Sequence, residues 1–181
     1  MKKISLALSA AVALAASATA SAQSGTITFN GEVTATTCAV TWPGAGGTAQ
    51  DPIVTLPTVP VTSLAVAGAT AGKQVVSLVI GAGTGTCTTG FAALELNPSR
   101  NANQSNGFLN NILTGGAEAG NVQVALRDAD DAPINISQPW RSAEIDLTTT
   151  KQIDFAAEYR ASAVATAGLV SSQVAYTIDY K

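Results

Sequence analysis

Short runs of alternating apolar and polar residues, separated by turns rich in glycine and proline, follow one another along most of the chain. Alternation with period two puts the apolar side chains on one face, which is typical of a strand buried on one side. Strands are predicted at 33–42, 73–80, 91–96, 122–127, 151–159 and 170–180, with a further short one at 133–137. Many short strands at this spacing predict an all-β fold, an immunoglobulin-like β-sandwich.

Two segments between the predicted strands are less regular. Residues 63–72 are rich in alanine and fit either a loop or a short helix, whereas residues 100–113 are polar and rich in asparagine. The acidic cluster at 128–131 is followed by Pro133 between two strand-like runs. This pattern predicts a solvated hairpin turn rather than a calcium loop or a catalytic carboxylate cluster.

The first 22 residues have the pattern of a cleavable signal peptide. Lys2 and Lys3 precede an apolar, alanine-rich run, and the segment closes with the small residues Ala20-Ser21-Ala22. The apolar run is too short to serve as a membrane anchor, which needs about 20 strongly apolar residues. We therefore predict export, a mature chain that begins at Gln23, and a single domain after it.

Composition excludes several classes of function. The formal net charge of −3 and the small number of basic residues argue against nucleic-acid binding, which depends on cationic contacts to phosphate. The chain has no histidine, no nucleophile motif and no phosphate-binding glycine loop followed by lysine. We therefore predict a protein that is not an enzyme, with no catalytic residue, no cofactor and no metal site.

Cys38 and Cys87 are the only two cysteines of the 181 residues. In an exported protein an even pair of cysteines predicts a disulfide bond. A metal site is the alternative, although the missing histidines and the lack of a CxxC spacing remove its usual ligands.

Residues 25–33, GTITFNGEV, form an alternating segment close to the predicted start of the mature chain. Ile27, Phe29 and Val33 share one face with Gly31 between them, which predicts a strand with one apolar face. The segment could be an ordinary edge strand of its own domain or a strand given to another molecule. Gly31 could mark a bulge or a place where the receiving surface is shallow.

The last predicted strand alternates in the same way, with Val174, Tyr176, Ile178 and Tyr180 on one face. No further strand is predicted after it, because Lys181 is the next and last residue of the sequence. An antiparallel sandwich that ends on this strand would leave one of its edges unpaired and an apolar groove open beside it.

Both terminal segments resemble those of chaperone–usher pilins, and most closely the major subunits of type 1 fimbriae. Tyr180 is the penultimate residue and Gly168 is fourteenth from the C-terminus, as in the C-terminal pattern of that family, and GTITFNGEV is similar to its N-terminal donor segment. The resemblance implies an incomplete immunoglobulin-like β-sandwich (pilin fold) that is completed by donor-strand complementation. It also implies a donor-strand extension at 23–33 and a pilin domain at 34–181.

The function that this resemblance implies is that of a structural subunit of a bacterial surface fimbria, which polymerises with identical or related pilins and supports adhesion. Its other partners would be a periplasmic chaperone and an outer-membrane usher. The implied donor residues are Ile27, Phe29, Gly31 and Val33, and the residues implied to line the groove or meet the chaperone are Gly168, Val174, Tyr176, Ile178 and Tyr180. A minor or adaptor pilin, a carbohydrate-binding adhesin and a secreted β-sandwich enzyme are the alternatives.

Overall fold

The computed structural model describes residues 38–81 and 87–181. Twelve strands and one short 3-10 helix, Val61–Leu64, account for its regular structure. The strands are β1 Val40–Thr41, β2 Gly46–Gly47, β3 Pro52–Ile53, β4 Thr70–Ile80, β5 Phe91–Leu96, β6 Leu109–Asn110, β7 Val122–Arg127, β8 Pro133–Ile134, β9 Trp140–Arg141, β10 Ile145–Asp146, β11 Gln152–Ala161 and β12 Tyr176–Tyr180. No helix in these two ranges is long and apolar enough to cross a membrane.

The strands form two main sheets that pack into a sandwich. In the first sheet the order is β1-β4-β11-β7-β6, and β8 also pairs with β7. In the second sheet β5 lies between β12 on one side and β9 and β10 on the other, while β2 and β3 form a separate hairpin. Every pairing between these strands is antiparallel. The all-β sandwich predicted from the spacing of the strands is therefore confirmed.

The core follows a period-two pattern along the end of β4, whereas β5, β7 and β11 have runs of consecutive buried residues. Val76, Leu78 and Ile80 on β4 are buried, as are Leu94 and Leu96 on β5. A second, smaller cluster surrounds Leu64 at one end of the sandwich. Since burying one such side chain contributes about 1.5–3 kcal/mol, the alternation of Val76, Leu78 and Ile80 is sufficient to fix which face of β4 turns inward.

The strands predicted at 91–96 and 122–127 have the bounds that the structure shows. The first and last predicted strands, at 33–42 and 170–180, are longer than those observed. In the described part of 33–42 only Val40–Thr41 form a strand, because the chain turns at Pro43, where Ala45 N donates to the carbonyl of Trp42 at 3.0 Å. In 170–180 the strand is confined to Tyr176–Tyr180. In the segment before it, Ser171, Ser172 and Gln173 take part in bonds that involve side chains, and these bonds interrupt a regular ladder.

The uncertain segments also take definite forms. The alanine-rich segment contributes the end of the 3-10 helix and then joins β4 at Thr70, and the asparagine-rich segment contains β6. The acidic cluster is the turn of the β7–β8 hairpin, in which the Asp128 carboxylate accepts bonds from the backbone N–H groups of Asp130 and Ala132. The solvated hairpin turn predicted there is confirmed.

Cys38 and Cys87 form a disulfide with their Cα atoms 5.7 Å apart, as the sequence predicted. Cys38 lies just before β1 of the first sheet, and Cys87 lies just before β5 of the second. The bond therefore ties the two sheets together at one end of the sandwich.

We expect Cys87→Ser to lower the free energy of unfolding by about 4 kcal/mol, the loop-closure contribution of a bond across roughly 50 residues. Urea unfolding midpoints would measure the loss, with Thr89→Ser as a control in the same segment. Reductant should lower the midpoint of the control and of the unsubstituted chain but leave Cys87→Ser unchanged. Two free thiols in the exported chain by mass spectrometry would contradict this expectation.

Candidate functional site

Strand β12 has a paired edge and a second edge without a partner among the described residues. On the paired edge Tyr176 lies opposite Leu96 and Tyr180 lies opposite Ala92. Backbone bonds of 2.9 Å between Phe91 and Lys181, in both directions, extend the same ladder. Within residues 38–81 and 87–181 no strand pairs with the other edge. An edge of this kind offers a row of N–H and C=O groups to an added strand.

The inward face of β12 is apolar and only half covered. Tyr176, Ile178 and Tyr180 pack against the main core cluster, as does Val174 just before the strand, yet all four are half-buried. Thr177, on the opposite face, is exposed. The pKa of the Tyr180 hydroxyl is raised by this partial burial and, to a smaller extent, by Tyr176. The strand thus presents an apolar row that further packing could cover.

A second set of half-buried apolar residues comes from β1, at the edge of the first sheet, and from the segments beside it in sequence, at Cys38 and at 54–56. Its members, Cys38, Val40, Val54 and Leu56, contact the same core cluster as the face of β12. We call the half-buried apolar surface formed by these two rows the groove. One wall comes from β12 and Val174, and the other comes from β1 with the segment at 54–56. An added strand would need one apolar face to bury the groove and a free backbone to pair with β12.

The two walls meet at Trp42. Its indole packs edge-on against Tyr176 of β12, with ring centroids 5.1 Å apart and an interplanar angle of 78°. It also packs edge-on against Phe155 of β11, at 6.4 Å and 89°. The indole Nε1 and the Tyr176 hydroxyl both donate to the carbonyl of Ala49, at 3.0 and 2.8 Å. This shared acceptor holds both rings in place.

The segment that leads into β12 is docked by close backbone contact at Gly168. A Cβ atom on this glycine would lie 2.3 Å from the amide nitrogen of Ala119 and 2.3 Å from the carbonyl carbon of Glu118. Leu169, the next residue, exchanges backbone bonds of 2.8 and 2.9 Å with Ala117 and Ala119. Only a residue without a side chain fits this approach.

The side-chain amide of Asn111 forms hydrogen bonds to the segment that leads into β12. Its Nδ2 donates to the carbonyl of Leu169 at 2.8 Å and to that of Ala119 at 3.3 Å. Its Oδ1 accepts from the backbone N–H of Ser171 at 3.0 Å and of Leu113 at 3.2 Å. The start of the groove strand is therefore held by a residue that is far away in sequence.

Ion pairs hold the outward face of β12 to its own sheet. Arg141 Nη1 on β9 lies 2.7 Å from a carboxylate oxygen of Glu95 on β5 and 2.6 Å from one of Asp179 on β12. The pKa of Arg141 is raised, chiefly by its bond to Asp179 and then by its bond to Glu95. Glu144 contacts both Arg141, at 3.3 Å, and Lys181, at 2.6 Å, and its pKa is lowered mainly by Lys181. These exposed pairs are individually weak but join three strands.

The structure places most of the predicted groove residues on one face. Val174, Tyr176, Ile178 and Tyr180 are half-buried against the core, and Gly168 lies at the start of the segment that leads to them. Their role in receiving a donor or chaperone strand stays a prediction. The predicted donor residues Ile27, Phe29, Gly31 and Val33 lie outside the described residues. The contributions of Trp42, Leu56 and Asn111 were not predicted. In the sequence, only their apolar character pointed to a role for Trp42 and Leu56, and no feature pointed to a role for Asn111.

Side chains with metal or acid–base chemistry do not converge on the groove. In the part of the chain that the structure describes, no three histidine, cysteine, aspartate or glutamate residues are grouped so as to hold a metal ion. What the groove offers is backbone pairing and apolar contact, which suit a polypeptide strand.

Comparisons with known proteins agree with this geometry. A family model described as Fimbrial protein matches residues 27–181. The chain is 35% identical over 172 residues to the major fimbrial subunit SMF-1 of Stenotrophomonas maltophilia, an alignment that covers 88% of this chain and 94% of that protein. It is 34% identical over 167 residues to the F17 fimbrial protein of Escherichia coli, with 88% and 89% covered.

Solved structures show the same fold at low sequence identity. The P pilus rod subunit PapA superposes with a TM-score of 0.54 at 15% identity, over 87% of this chain and 100% of that one. A Burkholderia pseudomallei antigen and type I fimbria protein superposes with a TM-score of 0.50 at 19% identity, over 80% and 100%. These two matches show the all-β sandwich fold. The family model and the two sequence relatives define the class of the chain as that of fimbrial subunits.

The chain belongs to the fimbrial protein family. The resemblance seen in its terminal segments is thus confirmed, and the chain is a structural subunit of a surface fimbria, exported to the cell surface.

We expect Gly168→Ala to destabilise the domain by about 1–3 kcal/mol, the usual cost of overpacking, because the new Cβ would overlap the backbone at Glu118 and Ala119. Gly46→Ala is the matched control, since a Cβ there would meet nothing closer than 3.9 Å. Its effect should stay within about 0.5 kcal/mol. Urea unfolding midpoints of the two variants would decide, and equal midpoints would show that the close approach at Gly168 is not required.

Proposed function

We propose that this subunit polymerises by strand addition, in which residues 25–33 of one copy occupy the groove of the next copy. The observation that carries the proposal is the state of β12, whose edge has no partner among the described residues and whose inward side chains are half-buried over the core. The alternating face of Ile27, Phe29 and Val33 has the apolar character that the groove needs. Strand addition to an open sheet edge is a general mode of peptide recognition, and complexes of pilins with their chaperones are an established instance of it.

The energetics favour a long-lived contact. Ile27, Phe29 and Val33 would each contribute about 1.5–3 kcal/mol of apolar burial. Each backbone bond to the free edge of β12 would add about 0.5–1.5 kcal/mol. Because each copy carries both a groove and a donor segment, the contact is heterologous and propagates into an open fibre.

The proposal assigns three parts to the chain. Residues 1–22 are the export signal, residues 23–33 are the donor segment, and residues 34–181 are the pilin domain. The work of the protein is structural, with no catalytic step and no cofactor. Its identity with a major fimbrial subunit over most of both chains favours an abundant rod subunit over a minor or adaptor one. The share of this chain among the proteins of sheared fibres would test that assignment.

Before assembly, the apolar side chains of the groove need to be covered by another polypeptide. A periplasmic chaperone could supply a strand that pairs with β12 and covers Val174, Tyr176, Ile178 and Tyr180, and an outer-membrane usher could then receive the complex. The half-buried state of these side chains supports this step, because an uncovered apolar row promotes aggregation.

We expect Phe29→Asp to abolish fibres while leaving the amount of subunit in the periplasm unchanged. The donor segment would carry an unpaired carboxylate into an apolar groove, which costs several kcal/mol. Thr28→Asp is the matched control, because it puts the same charge on the opposite face of the same segment. Electron microscopy of the cell surface would measure the outcome, and fibres of normal length from Phe29→Asp would exclude residues 25–33 as the donor.

For the chaperone step, we expect Tyr180→Ala to reduce the chaperone–subunit complex that can be purified from the periplasm, because it removes one member of the apolar row. Thr177→Ala, on the exposed face of the same strand, should leave the yield of complex unchanged. Equal yields from the two variants would place chaperone recognition elsewhere on the subunit.

A further inference from the structure

A polar cleft lies at the edge of the first sheet that is opposite to β1. In the sheet order β1-β4-β11-β7-β6, the groove uses β1 at one edge, whereas residues of β6, β7 and the segments next to them line the cleft. Its volume is about 280 Å³, close to the lower end of the range of about 300–1,000 Å³ that is usual for small-ligand sites. None of the described residues that line the cleft belongs to β1 or β12. A strand added to the groove would therefore not occupy the cleft.

Side-chain amides dominate the lining of the cleft. Glu118 carries the only charge among its described lining residues, and Ser162 adds a hydroxyl. These lining residues include no aromatic ring and no basic group. Five of the ten lining residues carry an amide, and they are Asn103, Asn110, Asn111, Asn121 and Gln123.

Hydrogen bonds within the chain fix several of these amides in place. Gln123 is only 3% exposed, and its Oε1 accepts from Nδ2 of Asn106 at 3.1 Å. Its Nε2 donates to Oδ1 of Asn110 at 2.9 Å. Nδ2 of Asn121 donates to the carbonyl of Val164 at 2.8 Å. Because these groups are already ordered, a ligand would bind to them at a small cost in conformational entropy.

The same lining residues keep polar atoms that are available to a ligand. Within residues 38–81 and 87–181, nothing bonds to Nδ2 of Asn110, Oδ1 of Asn121 or Oγ of Ser162. Glu118 uses one carboxylate oxygen to accept from the backbone N–H of Gly116 at 2.7 Å, and its second oxygen is available. The cleft therefore offers hydrogen-bond donors and acceptors together.

The chemistry of the lining selects one class of ligand. A divalent cation would need more than the single carboxylate of Glu118, and in the described part of the chain no three metal-ligating side chains are grouped. An anion would need a basic group, but Arg160, opposite Gln123 on β11, stacks over the ring of Phe108 at 4.3 Å and does not line the cleft. A sugar matches the lining, because each hydroxyl both donates and accepts, as an amide does.

We propose that this cleft binds one ring of a neutral saccharide. Hydroxyls of the sugar accept from Nδ2 of Asn110 and donate to Oδ1 of Asn121 and to the available carboxylate oxygen of Glu118. The same carboxylate repels a sugar that carries its own negative charge. Because every copy of the subunit carries the cleft, a fibre repeats it many times, and weak single contacts add up on a surface coated with glycans. The shaft of the fibre would then contribute to adhesion directly.

The test uses sheared fibres of the full chain, applied in equal mass to surfaces coated with galactose, mannose, N-acetylglucosamine or N-acetylneuraminic acid. We expect retention on at least one of the three neutral sugars and no retention above background on the acidic one. Asn110→Asp should lower that retention about tenfold or more. This variant keeps the Oδ1 that accepts from Gln123 but replaces the available donor with a second acceptor.

Asn135→Asp is the matched control, because it makes the same change outside the cleft. Its Oδ1 accepts from the backbone N–H of Ser137, and no bond to its Nδ2 occurs among the described residues. Retention of this variant should stay within about twofold of the unsubstituted fibre. If Asn110→Asp fibres do not assemble, Ser162→Ala tests the same cleft and should lower retention about threefold or more.

Two results would overturn the proposal. One is the absence of retention on all three neutral sugars. The other is equal retention of the control and of every cleft variant that assembles, which would place sugar binding on another protein of the fibre, such as one at its tip. Glu118→Gln adds an independent readout, because removing the negative charge should raise retention on N-acetylneuraminic acid relative to the neutral sugars.

Discussion

Backbone hydrogen bonding along β12 is the constraint on which the other features of this subunit depend. The strand is paired with β5 along one edge, and no described strand pairs with its other edge. Buried backbone groups are almost always paired in folded proteins, so a strand that faces a core along a free edge calls for a partner. The half-buried side chains on its inward face add an apolar driving force in the same place. A fimbrial subunit can use this requirement to join one copy to the next.

Several interactions keep β12 in position while that edge is available. Gly168 and Asn111 dock the segment that leads into the strand, and Arg141 ties its outward face to β5. Trp42 contacts its inward face from the other wall of the groove. The disulfide between Cys38 and Cys87 joins the two sheets. These contacts join β12 to both sheets and to the segments at 111 and 118–119.

Much of this architecture could be predicted from the sequence because runs of residues with high β-propensity between turn signals mark the strands, although burial alternates in β4 and not in β5 or β7. The bounds of β5 and β7, the disulfide and the inward face of β12 all follow from local pattern or composition. Where side-chain hydrogen bonds interrupt the ladder, the predicted strand was too long, as at Ser171, Ser172 and Gln173. The roles of Asn111 and Trp42 could not be predicted, because each depends on contacts between segments that are distant in sequence.

A cryo-electron microscopy reconstruction of assembled fibres would test the central claim most directly, because it shows which chain lies beside β12. We expect a strand formed by residues 25–33 along the free edge of β12, with density that connects it to Cys38 of the neighbouring subunit. Density that connects this strand to Cys38 of the same subunit, or a groove with no strand in it, would contradict the account.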